Sequence, residues 1–140
     1  MYTLHTTTKS NNIASNFTGI AEHTNGTKYW YFEGELHRLD GPAIEDSDGT
    51  KEWFVDGNRH RTDGPACEHS DGKKRWFVDG KRHRLDGPAI EYINGSKEWF
   101  VEGNQVIEQK HAKLVLELTK PSCEGKMVEI DGKKYKLVSI

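Results

Sequence analysis

One stretch, Gly26 to Asn104, limits what this chain can fold into more than any other feature, because it writes one phrase three times and begins a fourth. The complete copies read GTKYWYFEGELHRLDGPAIEDSD, GTKEWFVDGNRHRTDGPACEHSD and GKKRWFVDGKRHRLDGPAIEYIN, and a partial copy, GSKEWFVEGN, follows. Gly26, Gly49, Gly72 and Gly95 open them at a spacing of 23 residues, and Trp30, Trp53, Trp76 and Trp99 recur in the same register. Self-similarity at such a period is the signature of a stacked array in which each unit buries its apolar side against the next.

Each copy reads as β structure. Lys51-Glu52-Trp53-Phe54-Val55 is aromatic and β-branched, which suits a pleated surface. Asp56-Gly57 is a hairpin turn signal, Arg59-His60-Arg61 the return segment, and Asp63-Gly64-Pro65 a breaker. Ala66-Cys67-Glu68-His69 fits a short extended piece. The expected unit is two short strands with two turns. The expected fold is mainly β, an extended antiparallel meander of 23-residue hairpin repeats with its four Trp rings stacked as a ladder. At strand spacings of about 4.8 Å the array would advance roughly 10 Å per unit.

The flanks differ. Residues 1–16 are rich in Thr, Ser and Asn and read as an irregular segment. The array is assigned to 17–104, with a degenerate half-repeat at 17–25, repeats from 26, 49 and 72 and a partial one from 95. Residues 105–140 form a C-terminal cap. Ile107, His111, Leu114, Val115 and Leu118 share a helical face, with Asn104 as the N-cap, although Leu114, Leu116 and Leu118 also alternate as a strand would. Pro121 ends whichever forms. A hairpin over 126–139 is signalled by Asp131-Gly132, and a two-residue turn there pairs Val128 with Tyr135 and Glu129 with Lys134.

Composition excludes several classes. Hydrophobic residues are 34% and the mean hydropathy is −0.84, too polar for a thick core. A net charge of −2 argues against a general polyanion binder, whose affinity comes from phosphate neutralisation. MYTLHTTTKSNNIAS has neither a basic nor an apolar region of a signal peptide, and no run of about 20 apolar residues offers a membrane span, so a cytoplasmic location is expected. Cys67 and Cys123 show no CxxC or pairing pattern and read as reduced thiols.

The motif Trp-[Phe/Tyr]-x-x-Gly-x-x-His-Arg-x-Asp-Gly-Pro-Ala stands as Trp30-Tyr31, His37-Arg38 and Asp40 to Ala43. It recurs as Trp53-Phe54, His60-Arg61 and Asp63 to Ala66, and as Trp76-Phe77, His83-Arg84 and Asp86 to Ala89. It resembles a variant of the MORN-type β-hairpin repeat found in many small bacteriophage and bacterial proteins. That resemblance implies a scaffolding or binding module, and related bacterial proteins are described as antitoxins. The dense Tyr-Gly-x-Trp opening of the better-known MORN unit is missing, which speaks against lipid binding.

The recurring His-Arg-x-Asp invites a reading as metal ligands or as an acid–base pair. Ligands of one zinc each lie about 2.1 Å from it, whereas equivalent positions in successive repeats stand roughly 10 Å apart. The structural alternative is that Arg38, Arg61 and Arg84 brace their turns with Asp40, Asp63 and Asp86, or pair between repeats. No phosphate loop, nucleophile elbow, HExxH or paired-carboxylate signature is present, so no enzymatic activity, cofactor or metal is expected. Arg59, Arg61, Lys73, Arg75, Arg82 and Arg84, interleaved with Trp53 and Trp76, are the candidate partner-binding residues. The expected function is protein–protein binding by a small phage or bacterial protein that modulates or inhibits a host or defence protein, antitoxin-like. Nucleic-acid or nucleotide binding through the Arg and Trp positions, or a minor phage structural role, are the alternatives.

Overall fold

The computed structural model describes residues 3–4, 15–119, 127–131 and 133–136. Pro121, Cys123, Gly132 and most of residues 1–16, on which several expectations fall, lie outside the described residues. The fold is the expected mainly β one, a long antiparallel meander of hairpins followed by a C-terminal helix. Its elements are β1 (Thr3–Leu4), β2 (Gly19–Glu22), β3 (Lys28–Phe32), β4 (Glu35–Leu36), β5 (Ile44–Glu45), β6 (Lys51–Glu52), β7 (Phe54–Val55), β8 (Asn58–Arg59) and β9 (Cys67–Glu68). They continue with β10 (Lys74–Arg75), β11 (Phe77–Val78), β12 (Lys81–Arg82), β13 (Ile90–Glu91), β14 (Lys97–Val101), β15 (Asn104–Val106), α1 (Glu108–Leu118), β16 (Met127–Ile130) and β17 (Lys133–Lys136).

The main sheet runs β1-β2-β3-β5-β6-β9-β10-β13-β14-β15, with β4 also on β3. The second and third units therefore each hold four short strand segments, not two, because the aromatic strand is broken at its Trp and the piece around Cys67 or Ile90 joins the main sheet. The rest of the unit is a hairpin, β7-β8 or β11-β12, that stands off that sheet. The change of course falls at the tryptophan. Trp53 N–H donates to Ala66 O in the main-sheet ladder, while its carbonyl accepts from His60 N–H in the hairpin. Asp56 (φ 48°) and Gly57 (φ 75°) are both left-handed, as a type I′ turn requires. Hairpins bond to one another through Arg61 N–H to Phe77 O (3.1 Å) and Gly80 N–H to Arg59 O (2.9 Å), with the same two bonds one repeat earlier and later.

Ala43, Ala66 and Ala89 are fully buried, and Ile90, Phe100, Trp76 and Tyr92 gather around Ala89. The small side chain after each Pro lets the turn close onto the sheet.

The flanks bring corrections. Thr3–Leu4, expected to be irregular, pair in parallel with Ile20–Ala21. Residues 108–118 are helix, which resolves the helix-or-strand ambiguity. The N-cap is Ile107, not Asn104, because Asn104 still pairs with Val101 in the last hairpin. The C-terminal hairpin has the expected register, Val128 opposite Tyr135 and Glu129 opposite Lys134. No described helix is long and apolar enough to cross a membrane.

Candidate functional site: a row of grooves between braced loops

The four Trp rings do not form a ladder. Each of the first three carries an arginine from its own repeat instead: Arg38 over Trp30 at 4.1 Å, Arg61 over Trp53 at 4.0 Å and Arg84 over Trp76 at 4.0 Å. Among the described residues no ring contact joins two tryptophans, because one strand of the main sheet lies between successive Trp-bearing segments, and a guanidinium stacks on the ring instead. Trp99 has Ile107 at the position of this arginine.

Each guanidinium is also tied to its loop. Arg61 Nε donates to Asp63 Oδ1 (2.8 Å), and Nη1 donates to Pro65 O and Glu68 Oε1, both 3.1 Å. Arg38 does the same with Asp40, Pro42 and Glu45, and Arg84 with Asp86, Pro88 and Glu91. Of the two sequence alternatives, the brace lies within the turn and does not run between repeats. Gly64 is needed here for space, not for turn conformation, because a Cβ on it would stand 2.9 Å from Arg61 Cζ. The arginine hydrogen bond is the main cause that lowers the carboxyl pKa of Asp40, Asp63 and Asp86.

Histidine adds a side-chain link between repeats to the backbone bonds. The backbone N–H groups of Asp56, Asp79 and Glu102 donate to Nδ1 of His37, His60 and His83 at 3.1, 3.1 and 3.0 Å. This satisfies the donor of the strained first turn residue. Among the described residues no three His, Cys, Asp or Glu side chains converge as metal ligands would.

The braced Arg-x-Asp-Gly loops are ridges, and between them lie open grooves. One, of about 610 Å³, is lined by Arg38, Leu39, Trp53, Val55, His60 and Thr62. The next, of about 670 Å³, is lined by Arg61, Thr62, Trp76, Val78, His83 and Leu85. Every residue of the second stands 23 positions after its counterpart in the first.

The eight candidate partner-binding residues therefore divide. Trp53, Trp76, Arg61 and Arg84 are brought together in the grooves. Arg59, Lys73, Arg75 and Arg82 are not. Arg59 pairs with Glu52 at 2.6 Å and lies over Phe54, Arg82 lies over Phe100, and Lys73 over Tyr92. The Nε of Arg75 is buried without a partner. Leu39, Thr62 and Leu85, the variable residue of Arg-x-Asp, were not singled out in the sequence. Their signal was their place at the tip of a conformationally fixed loop. Comparison with family models, curated proteins and solved structures finds no match to this chain.

Proposed function

We propose that the chain is a non-enzymatic protein-binding array of the MORN-like type, a small phage or bacterial protein that grips and modulates another protein through its row of grooves. The observation that carries this is the pair of open grooves with matching linings one repeat apart. Each offers an apolar floor of Trp and Val beside His, Arg and Asp, the mix that lets a surface anchor a side chain and orient it. The Arg braces hold the walls before a partner arrives, which lowers the ordering cost of binding. The inhibitory, antitoxin-like role rests on the company of the variant motif.

A tagged chain and its Leu39→Asp, Thr62→Arg variant are to be used in parallel pull-downs from nuclease-treated bacterial lysate. A stoichiometric protein held by the parent and lost by the variant is the expected result. Equal retention would move the binding surface elsewhere, and no retained protein would end the reading. The second reading, nucleic-acid or nucleotide binding, draws on Arg59, Lys73, Arg75 and Arg82. It is weakened by Glu52 and Glu98 among them and by the internal engagement of Arg61 and Arg84. Retention that vanishes on nuclease treatment would favour it.

A further inference from the structure

One more step of 23 residues along the row of grooves arrives at α1. Arg61, Thr62, Trp76, Val78 and His83 of the second groove become Arg84, Leu85, Trp99, Val101 and Val106. These include the residues on which the helix sits. Leu114, fully buried, packs on Val101, and Leu85, Val106 and Leu118 close the same cluster. His111, 5% exposed, places Nε2 2.7 Å from the carbonyl oxygen of Arg84. A carbonyl only accepts, so Nε2 carries the proton and donates. The third groove is filled by the chain's own helix, through two leucines and one His-to-carbonyl hydrogen bond.

The first groove presents the same features, and among the described residues no helix packs into it as α1 packs into the third. Leu39 stands in the place of Leu85, Val55 in that of Val101, and the Arg38 carbonyl in that of Arg84. Leu39 is 81% exposed, whereas Leu85 is packed under α1. Among the described residues no hydrogen bond reaches the Arg38 carbonyl. The middle groove has Thr62 at this position, and the leucine that lines its other side, Leu85, is already packed under α1. One change is informative: His60 replaces Val106 on the floor. With Nδ1 accepting from Asp79 N–H, neutral His60 carries its proton on Nε2 and offers a donor that the third groove does not have.

We propose that the groove bounded by Leu39, Val55 and His60 is a docking site for an amphipathic α-helix of a partner protein. Its bound face repeats the spacing of His111, Leu114 and Leu118, a donor followed by leucines three and seven positions on. The proposal rests on the protein-binding reading and specifies the partner's element. A helix laid in a groove by anchors at such spacing is a recurrent mode of recognition.

The probe is a fluorescent peptide of residues 107–118, held helical by a lactam between position 109 (Gln109→Glu) and Lys113, two exposed positions on one side of α1. Titration with the full chain should give saturable anisotropy. Leu39→Asp in the protein should weaken binding at least about tenfold, the loss expected when a buried leucine contact is replaced by a desolvated carboxylate. Ile93→Asp, a change at another exposed apolar residue (74%), should leave it unaltered. Because Leu39 is exposed, the variant should keep the parent's circular dichroism and melting temperature. No saturation, or equal affinity for the Leu39→Asp protein, overturns the proposal. So does a dimer of the full chain that Leu39→Asp dissociates, since the occupant would then be a second copy. A lysate partner lost with Leu39→Asp, together with a peptide that does not bind, removes the helix and leaves the protein-binding reading standing.

Discussion

His60 Nδ1 lies 3.1 Å from the backbone nitrogen of Asp79 and 3.0 Å from the carboxylate Oδ1 of the same residue. The nitrogen cannot serve both at once. As a lone pair it accepts the backbone N–H, and as N–H⁺ it pairs with the carboxylate and leaves the backbone donor without its acceptor. His37 and Asp56 repeat the arrangement at 3.1 and 3.0 Å. At these two junctions between repeats one imidazole nitrogen faces two partners and can hold only one of them at a time.

His83 is the junction where acid should tell most. Its partner is Glu102, whose backbone N–H donates at 3.0 Å. Burial first, and His111 nearby, hold the His83 pKa below its ordinary 6.5, partly offset by Glu102. A histidine depressed in this way binds fewer protons folded than unfolded, so its contribution is complete above about 6.5 and is lost as pH falls towards the folded value. Melting temperature should therefore fall from about pH 7 to pH 5. His83→Asn, which keeps an acceptor and cannot titrate, should show a shallower fall, and an identical slope would dissociate the junction from the acid response.

The Arg61 brace predicts an unequal cost for similar-looking changes. Arg61→Lys keeps the charge but loses the planar contact with Trp53 and the simultaneous hold on Asp63, Pro65 and Glu68. Destabilisation of about 1–3 kcal/mol is expected in urea unfolding. Arg82→Lys, at an exposed residue, should stay within about 0.5 kcal/mol.

Cys67 should be inert in the folded chain. It is 2% exposed, and burial with Glu52 close by pushes its thiol up to about 11. Relative to an ordinary thiol this leaves about 100-fold less thiolate at pH 8, before access is considered. In a Cys123→Ser background, iodoacetamide labelling should be slower than that of a free thiol by at least this factor and should recover in denaturant. Rapid labelling of the native protein would contradict the buried placement.

Arg75 occupies the repeat position of Glu52, and Arg82 that of Arg59. The second repeat has a 2.6 Å ion pair there, while the third has two cations and a buried Nε without a partner. Arg75→Glu should recreate the pair and raise the melting temperature by about 2–4 °C, the shift for roughly 1 kcal/mol in a chain of this size. A lower melting temperature would mean that Arg75 has a favourable role beyond these contacts.

The period, the strands and the Asp-Gly hairpin turns were legible because each is a local backbone preference repeated in register. The C-terminal hairpin register was legible for the same reason, since a two-residue turn fixes which residues face each other. The kink at Trp53 was not, because a continuous aromatic run carries no mark of where its hydrogen bonds change sheets. The motif showed Arg61 and Asp63 as partners, yet the stacking of Arg61 on Trp53 brings together residues eight apart in sequence and depends on the hairpin between them. Asn104 looked like a helix cap because its preference for that role is strong, but the pairing with Val101 outweighed it. The grooves were hidden for another reason: they are spaces between loops, lined by the residue that the repeat leaves free to vary.

The hydrogen bonds from Arg61 N–H to Phe77 O and from Gly80 N–H to Arg59 O are backbone bonds, and the copies before and after make the same two. Each seam is consequently indifferent to which copy lies on either side of it. Copy number in such a gene can change by recombination between its own internal repeats, whole units being gained or lost without a mismatched junction. Each unit gained would add one more groove to the row, while the two ends of the protein stay as they are.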